Sequence, residues 1–293
     1  MDNNTLTALA TATAFLVLVG LAQVLILIGQ LYLSRSQKKN QDITVVEVYR
    51  TRWFDHQDKF GCLVYLGREL NEYYQTIDEV EIKKLNSKLK LVKNDKPTIW
   101  ARDAVRDVSI LLSDICIRIL QGSLSIQSVY PILGTTILRQ SLPLRKLLES
   151  EYDSSYLRLS NNLDPKYMIH HSVRREVQDW LIYHAGTRRR CLILIDLLWA
   201  EAARLQDLPP SDLKSAADAK MKTGNENKLR IKQEVLLLNT YSKYVQAIKL
   251  ANFLKHSEYK RFFGTKGISK RKLKKMEAEW TERLLENHGL SRP

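Results

Sequence analysis

LTALATATAFLVLVGLAQVLILIGQLYL, residues 6–33, is the stretch on which the reading of this chain turns. No charged residue falls between Asp2 and Arg35. A helix rises about 1.5 Å per residue, so roughly 20 apolar residues cross a hydrocarbon core about 30 Å thick. The run predicts one transmembrane helix over 6–33. A helix apolar on every side has no face to turn to water, which argues against a place in a soluble bundle.

A cleaved signal peptide is the main competitor, and the residues disfavour it. Asp2, Asn3 and Asn4 precede the run where a signal peptide carries Lys or Arg. The run is long and ends in Leu31-Tyr32-Leu33 instead of small residues suited to cleavage. Arg35, Lys38 and Lys39 follow it, so the positive-inside rule places residues 1–5 outside and the C-terminal domain in the cytosol.

Within the run, Thr13, Gly20, Gln23, Leu27 and Gln30 are spaced by seven, three, four and three residues. That spacing puts them on one helical face. Small and polar residues on one face let helices approach closely and hydrogen-bond in lipid. Thr13, Gly20, Gln23 and Gln30 are therefore a candidate self-association seam and, with more copies, a polar pore lining. The plainer reading is that Gln30 reaches the interface and Gln23 is tolerated.

Beyond the anchor the chain reads as all-α, a multi-helix bundle on the cytosolic side. Gly and Pro are sparse, at 11 and 7 in 293 residues, and strand-like alternation is hard to find. A basic linker is expected over 34–44 and a helical domain over 45–210. A mobile loop is expected over 211–228, and C-terminal helices packed on the same domain over 229–293. Apolar spacing predicts helices near 45–74, 82–92, 98–120, 126–133, 136–152, 166–184, 187–205, 229–254 and 270–287. The run from Cys191 to Ala200 contains Asp196 and is too short to span a bilayer, so it reads as a buried core helix. Cys62, Cys116 and Cys191 are odd in number and far apart, as reduced core residues of a cytosolic domain would be.

The formal net charge is +14. A surplus that large favours anionic partners, which are lipid headgroups or nucleic acid. The densest group is Lys260, Arg261, Lys266, Lys270, Arg271, Lys272, Lys274 and Lys275, with no acid among them. Phe262 and Phe263 sit inside it. Docking on the anionic inner leaflet is the favoured partner reading. Nucleic acid is second, and a solvated helix face is the bland alternative. Arg174, Arg175 and Arg188 to Arg190 form another basic group near His170, His171 and His184. Ion pairs with acids such as Glu176 and Asp179 explain it most simply. Neither a metal nor a cofactor is expected, because no Cys-x-x-Cys, His-Glu-x-x-His, Walker A or dinucleotide fingerprint occurs.

Arg50–His56 and Arg283–His288 place an Arg and a His with five and four residues between them. This spacing resembles that of the HEPN-class helical ribonucleases, whose likeness implies an Arg–His RNA-cleaving pair. Thr51 meets loosely the polar position that family places after the Arg, and Leu284 does not. In layout alone the chain looks like single-span bacterial inner-membrane proteins with a cytosolic helical domain. The expectation is thus a membrane-anchored interaction and assembly protein that self-associates, with an unidentified protein as a further partner and no clear enzyme signature. A tethered nucleic-acid-binding or HEPN-like effector is the alternative, and a pore-forming effector the third.

Overall fold

The computed structural model describes residues 3–67, 97–139, 141–149, 165–205, 207–239, 244–254 and 269–287. Every regular element among them is helical. The helices are α1 (Asn3–Asp55), α2 (Gln57–Gly67), α3 (Pro97–Leu120), α4 (Ile126–Leu138), α5 (Ser141–Glu149), α6 (Pro165–Tyr183), α7 (Ala185–Leu205), α8 (Pro210–Leu238), α9 (Tyr244–Leu254) and α10 (Lys270–Asn287). The chain divides into two compact units, Met1–Val45 and Val46–Pro293.

The first unit holds the apolar run of α1 and the charged stretch 34–45, which continues the same helix where a separate linker over 34–44 was expected. α1 is the one helix among the described residues long and apolar enough to cross a membrane. Its side chains lie open, with Phe15 69% and Leu25 68% exposed. Large apolar groups left in that state in water would each forfeit about 1.5–3 kcal/mol of burial free energy.

The second unit is a bundle around α7. Every residue from Cys191 to Ala203 is buried, so this helix is enclosed on all sides. It packs on α3 most extensively and also on α4, α5, α6, α8 and α9. Its one polar intruder near the middle, Asp196, is tolerated because Arg145 of α5 reaches it at 2.7 Å. The last turns of α1 belong to this bundle, where Val46, Tyr49 and Trp53 are buried. Trp53 packs against Phe60 with ring centroids 4.4 Å apart.

Several boundaries differ from the sequence expectations. The helix expected over 45–74 is interrupted at His56, which forms a turn between α1 and α2. α4 runs through Gly134 by widening to a π-helical turn over Tyr130–Gly134. Pro131 cannot supply the usual backbone donor there, and the wider turn absorbs the loss. A Cβ on Gly134 would fall 2.3 Å from the Tyr130 ring, so that turn needs glycine.

The mobile loop expected over 211–228 is a correction, since α8 is continuous from Pro210 to Leu238. Pro210 occupies the first helical position, Asp212 lies in the first turn, and Ala, Lys and Met follow. Leu213 fastens the start of α8, in a cluster with Ala203 and Leu273 against which Leu208 and Met276 pack. The single helix expected over 229–254 is correspondingly two, α8 and α9, with Asn239 as the extended C-cap of α8. The expected helix over 82–92 and the expected loop over 153–164 lie outside the described residues.

Lys59 of α2 donates to Asp107 of α3, tying those helices together. Burial pulls the Asp107 carboxyl up, but Lys59 and Arg106 outweigh it and hold it below its ordinary range. A depressed folded value contributes stability above the unfolded pKa, and that stability is lost as pH falls through the folded one. Asp107→Asn should therefore remove part of the acid-side loss of stability below about pH 4 and leave the neutral-side dependence unchanged in pH-dependent melting.

Candidate functional site

The arginines at the start of α7 are engaged in ion pairs and a helix cap. Arg189 and Arg190 both donate to one carboxylate, Glu234 of α8, each at 2.6 Å. Glu234 is 0% exposed. Arg188 donates to the Leu148 carbonyl and, at 3.4 Å, to that of Glu149, capping the C-terminus of α5. A guanidinium there meets both the open carbonyls and the negative end of the helix. The ion-pair reading of this group is the one the geometry matches, although its partner is Glu234. Glu176 pairs with Arg102 at 3.6 Å. Arg174 is buried and Arg175 exposed. His184 stacks on Trp180 with centroids 4.0 Å apart, its Nδ1 2.9 Å from the Trp180 carbonyl.

Nearby, Cys191 donates through Sγ to the Ser109 carbonyl at 3.4 Å. Burial pushes its thiol up to about 12, with Ser109 and Arg190 opposing. Burial also raises Cys116 well above the ordinary range, helped by Cys191 and Glu234. Thiols held neutral in this way are poor nucleophiles. All three cysteines are free and buried.

A distinct geometry gathers at the C-terminal end of α3. Tyr49, at the point where α1 enters the bundle, donates its hydroxyl to Asp114 at 2.5 Å. Arg118 lies over the Tyr49 ring, 5.7 Å from its centroid. Burial first, and then the Asp114 hydrogen bond, push the Tyr49 phenol up to about 12. Gln246, at the start of α9, donates to the Ile119 carbonyl at 3.5 Å. Gly122 next to it has φ +74°, a left-handed turn that ends α3.

The candidate seam residues Thr13, Gln23 and Gln30 are exposed, and a Cβ on Gly20 would meet nothing within 4 Å. Of the basic cluster, Lys270, Arg271, Lys272, Lys274 and Lys275 are exposed on α10, whose Leu273 is buried. Lys260, Arg261 and Lys266 lie outside the described residues. Arg50 is exposed, pairs with Glu47 at 3.4 Å and lies 5.6 Å from the Phe54 ring centroid. His56 sits in the turn after α1, its Nδ1 buried without a hydrogen-bond partner. Arg283 is exposed on α10, and His288 lies outside the described residues.

Sequence reasoning missed Glu234 as the centre of the arginine group. The signal was present: Glu234 falls between Ile231 and Val235 on the apolar side of α8, where an acid needs a cation. Comparison with family models, with curated proteins and with solved structures returns no match for this chain.

Proposed function

We propose that this chain is a single-span membrane-anchored assembly protein, held with its helical bundle in the cytosol at a bacterial inner membrane. The observation that carries the reading is the exposed apolar length of α1, none of it buried within the chain. Lipid is the solvent that suits such a helix. The residues before the run lack the cations of a cleaved leader, and the run is long and ends in Leu31-Tyr32-Leu33, which supports retention. Arg35, Lys38 and Lys39 support the orientation.

Self-association runs through Thr13, Gly20, Gln23 and Gln30. Among the described residues nothing lies within 4 Å of a Cβ on Gly20, which leaves room for the close approach of a second helix. The exposed cations of α10 add contact with anionic headgroups. They stand in the first half of a helix, where the macrodipole disfavours positive charge, so an external anionic surface would relieve them.

Gln23→Leu with Gln30→Leu should weaken the oligomer about tenfold, since each interhelical hydrogen bond contributes about 0.6–2 kcal/mol. Crosslinking of the purified chain across a detergent dilution series measures this. An unchanged oligomer sinks the seam, and extraction of the chain from membranes by alkaline carbonate sinks the anchor. Nucleic acid copurifying with a monomer would favour the nucleic-acid reading instead.

A further inference from the structure

We propose that the seam of α1 does not end with the apolar run but continues as one uncharged heptad line to Thr44, and that this line takes the same line of a second copy, parallel and in register. The proposal rests on the self-associating reading above. It adds the orientation and register of the pair, and a stretch beyond the apolar run which that reading does not use.

α1 is one uninterrupted helix over Asn3–Asp55, so a phase set inside the apolar run carries into the residues that follow it. Where two parallel helices touch, the contact line alternates steps of three and four residues. Counted on from Gly20 and Gln23, that line takes Leu27, Gln30, Ser34, Gln37, Gln41 and Thr44. Gln23, Gln30 and Gln37 thus recur every seven residues. Arg35, Lys38, Lys39 and Asp42 all lie in the stretch 34–45, yet none falls on the line. Every residue from Leu21 to Gln41 is exposed, and so is Thr44, whose hydroxyl donates to the Asn40 carbonyl at 3.1 Å. The line is therefore open to a neighbour along its length.

The occupant is a second copy for reasons of depth and chemistry. Copies of one single-span chain insert the same way round, so their helices run parallel and equal residues lie at equal depth. A Gln amide carries two donors and an acceptor oxygen, so it can serve an identical amide opposite it. Gln23 and Gln30 lie in the apolar run, where an unserved amide is costly. A soluble partner cannot reach them there, and an unrelated span would need polar groups at matching depths. Lys38 stands beside the line, and the flanking position it would meet on the other copy carries Leu33, so no cation faces a cation across the seam.

A strict seven-residue repeat drifts about 20° per heptad on a straight helix, and it stays in one line only when helices wind left-handedly about each other. The two copies of α1 therefore cross at a shallow left-handed angle. Beyond the apolar run water serves the amides as well as they serve each other, so Ser34, Gln37, Gln41 and Thr44 fix register more than they add affinity.

The test is oxidative crosslinking of the full chain in its membrane with copper phenanthroline. One cysteine is introduced at a time, by Gln30→Cys, Gln37→Cys or Gln41→Cys on the line and Ser36→Cys or Lys39→Cys off it. The three native cysteines are buried, so the introduced thiol is the one that reacts. The expected result is a disulfide-linked dimer that forms much faster at 30, 37 and 41 than at 36 and 39. Gln37→Lys should weaken the oligomer about fivefold, through two like charges brought about 4 Å apart in water, and Ser36→Lys should leave it unchanged.

Crosslinking at 30 alone ends the seam at the membrane, which overturns this proposal and leaves self-association standing. Dimers absent from every position overturn self-association together with it. Equal rates at 36, 37, 39 and 41 report random collision and overturn the continued line. Faster joining of Gln37→Cys to Gln41→Cys than of either to itself overturns the register.

Discussion

Replacing Arg189 and Arg190 together by Gln should destabilise the bundle by about 3–5 kcal/mol at pH 7, the usual cost of stripping a buried ion of its partners. Glu234 is 0% exposed, and these two guanidiniums contact its two oxygens separately, Oε2 and Oε1. Without them the carboxylate keeps its desolvation penalty and loses its compensation. The arginines themselves are 36% and 24% exposed as side chains, so they can turn to water when the acid is removed. Glu234→Gln should accordingly cost less, about 1–3 kcal/mol, the range for a broken charged hydrogen bond. Melting of both variants at pH 7 checks this, and a double Arg variant no less stable than Glu234→Gln would refute the burial argument.

Gly67→Ala should cost about 3 kcal/mol or more, at the upper end of overpacking effects. A Cβ there would fall 2.0 Å from the Pro143 carbonyl oxygen and 2.6 Å from its carbon. Both are backbone atoms and cannot rotate aside, so α2 and α5 must separate. Leu63, Leu66, Leu144 and Leu147, each at most 1% exposed, fill the buried parts of these helices. Moving α5 also strains the Arg145–Asp196 pair at 2.7 Å beside the enclosed face of α7. Gly186→Ala is the control, because its nearest neighbour would be Arg190 Nη2 at 3.8 Å, an ordinary contact. That variant should melt within about 1 kcal/mol of the parent. Protease resistance of the two variants reports the same contrast if melting is irreversible.

These two effects mark different degrees of legibility. Glu234 could have been suspected from its place on an apolar stripe, yet nothing local says that its cations come from α7, 44 and 45 residues away. Gly67 carries no local signal, because its need for a bare Cα comes from a backbone brought against it by the fold. The helix over 211–228 was misread because polarity was taken for irregularity. The helix is held by buried Leu213 near its start and Ile231 further on, 18 residues apart, contacts that local composition does not announce.

The sequence by itself determined the all-α class, the one apolar helix long enough to span and the enclosed character of α7. Each rests on unbroken runs or local periodicity, which one segment carries alone. Only the tertiary structure decided that the arginines close on Glu234 and that α2 and α5 touch through bare backbone. Those are contacts between residues distant in the chain, set by how helices stack, and no single segment encodes them.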